Sequence, residues 1–308
     1  MERYRANRFP RIFTIAKDTV LEFFGDDCPS QAAALAYYTV FSLPPLLLIV
    51  VSVLGSVLGN EAAQDRVLFQ ISSLTGSRAG GQIKSMLSAI QHSGGSSGLA
   101  ALIGVGALIV GATSAFVQLQ SALNQAWNVK PDPHRSEIRS FFVKRMVSFG
   151  MILGIAFLAM VSLLLSAGLA AFADVLKQWL TPGFSATLLQ ALNTALSLVI
   201  FGILFATMHR FLPDAEISWP DAAVGGAVTA ILFTAGKLLI GLYIGNSNVT
   251  TVYGAAGSLA IILVWTYYSS MILLLGAELT QVWSRHHGRV ARPEPGAIKV
   301  EQREVPAS

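Results

Sequence analysis

The chain has 308 residues, of which 53% are hydrophobic and 12% charged, and its formal net charge is +4; the mean hydropathy is +0.59. A soluble domain carries roughly 25% charged residues, whereas several runs here of about 20 residues carry almost none, enough to cross a bilayer as helix. This excludes a pair of soluble domains. The basic residues sit between apolar runs and therefore report topology rather than a nucleic-acid partner. The single cysteine, Cys28, excludes an internal disulfide and a multi-cysteine metal site.

In chain order, residues 9–26 come first. At 100° per residue, Phe9, Ile12, Phe13, Ala16, Val20, Phe23 and Phe24 share about a third of the circumference. Arg11, Asp18 and Glu22 lie opposite. Such a helix lies in the membrane interface, or packs on other parts of the protein. Cys-Pro-Ser at 28–30 ends it, and Ser30 is the expected N-cap of the next helix. No signal-peptide core with a small-residue cleavage site is visible, so the first span is expected to act as its own uncleaved signal.

Six spanning helices are expected, over about 36–59, 98–122, 146–172, 187–208, 222–244 and 255–279. Pro44 and Pro45 fall inside the first and predict a kink or break. Sixteen Lys and Arg precede, follow or connect these spans on one side, and four (Arg66, Arg78, Lys84, Lys177) on the other. The excess marks the cytoplasmic side and puts both termini there. Between the first two spans, residues 60–97 read as two short amphipathic helices. Val67, Ile71 and Leu74 line one, and Ile83, Met86, Leu87 and Ile90 the other. They form either a lid or a packed cap. The fold class is thus all-α, a polytopic integral membrane protein with one membrane domain over 1–285. The remaining residues, 286–308, form a disordered cytoplasmic tail.

The chemistry-bearing residues are sparse. His92, His134, His209, His286 and His287 make no metal-ligand cluster, and neither GxxxxGK[ST] nor GxSxG occurs. No cofactor, no metal, no nucleic acid and no enzymatic activity are expected. Polar groups inside apolar runs are the better signal, because burying them in hydrocarbon is costly. Lys237 stands about seven residues from the outer end of the fifth span, where it either snorkels to the headgroups or holds an anion. Glu278 lies near the inner end of the sixth span, too far along the bilayer normal to pair with Lys237. A structural ion pair with Arg210, Lys144 or Arg145 suits it better. Gln118 and Asn124, toward the inner half of the second span, suit interhelical hydrogen bonds. Asn246, Asn248, Thr250, Thr251 and Tyr253 make a polar outer loop. Gly226 with Ala230, Ala107 with Gly111, and Gly241 with Gly245 have the spacing of close helix packing.

Three segments carry a family resemblance: SQAAALAYYTVFSLPPLLLIVVSVLG, SALNQAWNVKPDPHRSEIRSFFVKR and VYGAAGSLAIILVWTYYSSMILLLGAELTQVW. In this order they resemble the YihY/virulence factor BrkB family of bacterial inner-membrane proteins, over roughly residues 12–285. Pro44-Pro45 departs from the family's usual single proline after an aromatic. The motif match singles out Tyr37, Ser42, Pro44, Asn124, Trp127, Tyr253, Gly254, Trp265, Tyr267, Gly276 and Glu278. The resemblance implies an inner-membrane, multi-pass protein linked to the envelope and to lipid or solute export. It also brings an old ribonuclease label, for which the residues supply no metal ligands. Translocation of a lipid or other amphiphile is the leading expectation, with Lys237, Tyr37, Ser42, Pro44, Pro45, Gln118, Asn124 and Tyr253 as pathway residues. An envelope scaffold and an ion or small-solute transporter are the alternatives. Membrane lipids are the expected partners, with a homo-oligomer possible.

Overall fold

The computed structural model describes residues 8–75, 81, 84, 114–132, 182–246, 255–289 and 291–300. Helix α1 is Arg8–Gly25, α2 Cys28–Leu58, α3 Asn60–Thr75, α4 Pro182–Phe211, α5 Trp219–Asn246 and α6 Ala255–His286. A further helical stretch covers 114–126. Four short strands complete the description: β1 Val129–Pro131, β2 Ala215–Glu216, β3 Arg292–Pro293 and β4 Ala297–Lys299. The expected spans over 187–208, 222–244 and 255–279 fall within α4, α5 and α6, and that over 36–59 within α2 up to its C-cap Gly59. Only the end of 98–122 is described, and 146–172 lies outside the described residues. Among the described residues, Thr194–Phe211 and Ile262–His286 are long and apolar enough to cross a membrane.

The chain divides into two compact units. One comprises Met1–Glu22, Leu123–Leu232 and Leu275–Ser308, and the other Phe23–Ala122 and Phe233–Leu274. We call them the first and second unit.

In the second unit, α2 begins three residues earlier than Ser30 would cap it. Asp27 occupies the N-cap position with φ of 51°, and Pro29 stands in the first turn. Proline fits there because that N–H has no intrahelical acceptor. Ser30 instead donates to Asp27 Oδ1 at 2.8 Å. The helix also continues through Pro44 and Pro45 rather than breaking. Two prolines remove two backbone donors, and the turns on either side keep theirs. Of the expected helices over 60–97, the first is present as α3, with Ala63 and Val67 buried. Apart from residues 81 and 84, the second lies outside the described residues.

In the first unit, α4, α5 and α6 approach closely through small residues. A Cβ on Gly226 of α5 would meet Ala206 N at 2.5 Å and Gly202 O at 2.7 Å on α4. Gly225 faces Thr280 and the Gly276 carbonyl of α6, and Gly276 faces Thr229 and His209. The buried hydroxyls at this crossing bond within their own helices. Thr229 donates to Gly225 O and Thr280 to Gly276 O, both at 2.7 Å. Small residues allow backbones to pack at this separation, and back-bonded hydroxyls leave no unmet donor.

The C-terminal segment is not loose. Strand β4 pairs antiparallel with β1, and β3 with β2. Residues 291–300 therefore depart from the disordered tail expected over 286–308. Edge backbone groups left by the segments after 114–126 and after α4 give this polar stretch its partners. Residues 301–308 lie outside the described residues. His286 and His287 are also held: His286 Nε2 lies 2.9 Å from Asp18 Oδ2, and the His287 ring 4.4 Å from that of Trp283.

Candidate functional site

Polar side chains collect in the first unit where 114–126 ends, α4 gives way to α5, and β3 and β4 return. Asn124 is buried and binds Asp214 twice. Its Nδ2 donates to Asp214 Oδ2 at 2.9 Å, and its Oδ1 accepts from Asp214 N at 2.7 Å. The Asp214 carbonyl then accepts from Glu294 N at 3.0 Å. Trp127, Val129, Ala215, Ile217 and Ala222 form a small apolar core beneath.

Ser218 and Asp221 start α5. Ser218 Oγ accepts from Asp221 N at 3.4 Å and donates to Asp221 Oδ2 at 2.6 Å. Asp221 is only 1% exposed, and Arg289 Nη1 meets its Oδ1 at 3.0 Å. A carboxylate in a helix's first turn also meets the positive end of the helix dipole.

Arg210 closes the last turn of α4. Its Nη1 donates to the Ile217 carbonyl. The guanidinium carbon lies 5.0 Å from the Trp219 ring centroid and 5.5 Å from that of Phe211. The two rings, each 50% exposed, meet edge to face at 5.7 Å. Half-exposed aromatics beside an arginine suit a headgroup layer, where one side is apolar and the other wet. An open cleft of about 480 Å³ lies here, lined by Arg210, Phe211, Ala215, Glu216, Ile217, Ser218 and Glu294.

Lys237 belongs to the second unit and is half-buried. The preceding residue, Gly236, packs against the Tyr268 ring of α6, and Phe233 meets Trp265 edge to face at 5.7 Å. At 100° per residue Lys237 stands about 40° around α5 from Phe233, on the flank of this α5–α6 contact. Large apolar side chains remain exposed on both helices, among them Leu239 on α5 and Val264 on α6.

The remaining sequence candidates are scattered. Gln118 Nε2 donates to Gln31 Oε1 at 2.7 Å, the interhelical bond expected of it. Tyr37 is exposed and packs on Tyr38 and Phe41, with centroids 5.5 and 4.9 Å away. Ser42, Pro44 and Pro45 lie in α2, but their side chains fall outside the described residues, as do Tyr253, Lys144 and Arg145 entirely. Glu278 is fully buried in the first unit. Asp214, Asp221, Arg289 and the cleft residues other than Arg210 were not singled out by sequence. The Ser218-x-x-Asp221 spacing ahead of an apolar run is a capping signal that could have marked two of them.

Among the described residues, no three His, Cys, Asp or Glu side chains gather where they could hold a metal ion.

Of the two readings the sequence left open for α1, packing on other parts of the protein is seen on one side of the helix. Ile15, Thr19 and Phe23 are buried, whereas Ile12, Phe13, Val20, Leu21 and Phe24 are exposed. Within the first unit, Arg285 Nη1 meets Glu22 Oε1 at 2.9 Å, beside the His286–Asp18 contact. One side of α1 is tied to the end of α6, and an apolar side is left uncovered.

The described residues are mostly helical, and two stretches, Thr194–Phe211 and Ile262–His286, have the length and composition of membrane-spanning helices. Residues 19–299 match the family described as virulence factor BrkB, and the chain belongs to that family. It is 30% identical to a UPF0761 membrane protein of Pseudomonas aeruginosa over 274 residues, covering 85% of this chain and 62% of the relative. It is 32% identical to a UPF0761 membrane protein of Pseudoalteromonas translucida over 260 residues, covering 83% and 81%. The chain thus spans about three fifths of the length of the Pseudomonas relative. No solved structure matches.

Proposed function

We propose that this protein is a non-enzymatic, six-span protein of the bacterial inner membrane, with both termini cytoplasmic, that translocates a lipid or other amphiphile. The observation that carries the reading is Lys237, a half-buried cation on α5. It sits beside a helix contact and next to exposed apolar side chains such as Leu239. A cation held at such a place has few stable partners in hydrocarbon. An anionic headgroup moving along the helix flank would be one. The exposed face of α1 supports the same reading, since it suits burial in the inner headgroup layer. Membrane lipids are then both solvent and substrate, and self-association of the chain is compatible with this arrangement.

A scaffold is the second reading, favoured by the close Gly225, Gly226 and Gly276 crossing, which suits a rigid bundle. Translocation of fluorescent anionic and zwitterionic lipids in proteoliposomes separates the two. Protein-dependent flipping that Lys237→Met abolishes, with normal insertion, is the expected result. Flipping that the variant retains would leave Lys237 a snorkelling residue. No flipping by folded protein would favour the scaffold.

A further inference from the structure

Helix α1 carries its amphipathic faces in reverse. In a soluble bundle the apolar side of a surface helix packs inward and the charged side meets water. Here both acidic residues of α1 are drawn to protein. Asp18 Oδ2 lies 2.9 Å from His286 Nε2 and Glu22 Oε1 2.9 Å from Arg285 Nη1, both at the end of α6. Ile12, Phe13, Val20 and Leu21 lie outward instead and are between 49% and 74% exposed. Apolar groups gathered on a surface in this way mark a contact with a membrane or another protein.

Two observations select the membrane. The first is position. Arg285 and His286, which hold α1, are the last residues of Ile262–His286, a stretch long and apolar enough to cross a bilayer. A helix seated at the end of such a span lies at the depth of the headgroups. The second is charge. Lys17 is exposed and four residues from both Phe13 and Leu21, so at 100° per residue it stands about 40° from each, between them. Among the described residues it makes no ion pair. The two acids of the helix are engaged with α6, so the described outward side presents one cation among apolar groups. A lysine stem lies along apolar surface while its ammonium reaches a phosphate, and an anionic leaflet attracts such a cation.

We propose that the outward side of α1 binds the anionic phospholipids of the leaflet at that end of the span, with Lys17 on their phosphates. This rests on the membrane reading above and names a lipid class for it. The test uses full-length protein with photoreactive benzoylphenylalanine in place of Phe13, in vesicles of equal parts phosphatidylcholine and phosphatidylglycerol. Mass spectrometry reads which lipid is attached at position 13. Phosphatidylglycerol adducts should exceed phosphatidylcholine adducts several-fold. Lys17→Gln, altered only at an exposed side chain, should return the ratio to about that of the vesicle, and Lys17→Arg should keep the preference.

Equal adducts with the two lipids, or a preference that Lys17→Gln keeps, overturns the assignment. Cross-links to a second copy without lipid adducts overturn it in favour of a contact between chains, and an absence of any lipid adduct overturns it outright. Attachment does not require transport. A chain that flips no lipid but keeps the preference therefore defeats the translocation reading and leaves this one standing, whereas flipping without the preference does the reverse.

Discussion

Asn124 holds Asp214 by both its backbone and its side chain, donating to Oδ2 at 2.9 Å and accepting from the amide at 2.7 Å. A side-chain amide offers a donor and an acceptor on one planar group. The contact joins segments 90 positions apart in sequence.

Asn124→Ala leaves a buried carboxyl oxygen and a buried N–H with lost partners. The expected cost is about 3 kcal/mol, because abandoned buried polar groups each cost about 1–3 kcal/mol. Thermal unfolding in detergent should show a midpoint lower by several degrees. Asn124→Asp should do worse, since it sets two carboxyl groups against each other. A midpoint unchanged in both variants would mean the pair contributes nothing to the fold.

The glycines of α4 and α5 give a paired comparison. A Cβ at Gly226 would press on backbone atoms of Ala206 and Gly202, which have no rotamer to yield, whereas a Cβ at Gly202 meets nothing within 4 Å. Gly226→Ala should therefore force α4 and α5 apart and cost about 1–3 kcal/mol. Gly202→Ala should be neutral or slightly stabilising, as alanine favours helix by up to about 1 kcal/mol. Melting curves of the two variants check this directly, and equal behaviour would contradict the packing.

Much of the helical architecture was legible because its signal is local. Runs such as those in α4 and α6 announce themselves by composition, and the spacing of Gly226 and Ala230 marked a close crossing. Hydropathy was less informative where a helix continued beyond its apolar run. Helix α6 reaches His286, past the expected end at 279, because Val282 and Ser284 are buried by protein. Strands β3 and β4, of two and three residues, carry no periodicity at all. Their order comes from β1 and β2, far away in sequence, so the tail looked disordered. The site behaved similarly. Asn124 was singled out by its place in an apolar run, while its partner Asp214 lies outside the apolar runs and drew no attention. Arg210 was singled out for an ion pair, but the Trp219 ring against which it lies could be found only from three-dimensional proximity.

Glu278 is fully buried toward the end of α6, in the unit that carries the close helix crossing. A carboxyl group in such surroundings has its place fixed by the packing around it. Glu278→Gln is expected to reduce the amount of folded protein recovered from membranes by severalfold, with translocation per folded molecule nearly unchanged. Fluorescence-detected size exclusion combined with the proteoliposome measurement separates the two quantities. Normal abundance with lost turnover would transfer Glu278 from the fold to the transport step.

Asp221 serves two masters, the start of α5 through Ser218 and the returning tail through Arg289. Substitutions at the two ends of the ion pair should therefore differ. Arg289→Ala removes the tail's anchor and a long 3.3 Å bond to Ser218 Oγ but leaves the Ser218–Asp221 cap itself in place, and 48% of its side chain is exposed, so the loss should be modest for global stability. It should nonetheless loosen β3 and β4. Asp221→Ala removes the anchor and also weakens the helix cap, adding about 1 kcal/mol. Hydrogen–deuterium exchange of residues 291–300 should accelerate several-fold in both variants, as expected when a locally stabilised segment opens more often. Asp221→Ala should speed exchange at the first turn of α5 much more than Arg289→Ala, since it alone removes the cap partner of Ser218. Unchanged exchange in the Arg289 variant would mean that strand pairing alone holds the tail, and equal α5 exchange in both variants would remove Asp221's separate role in the cap.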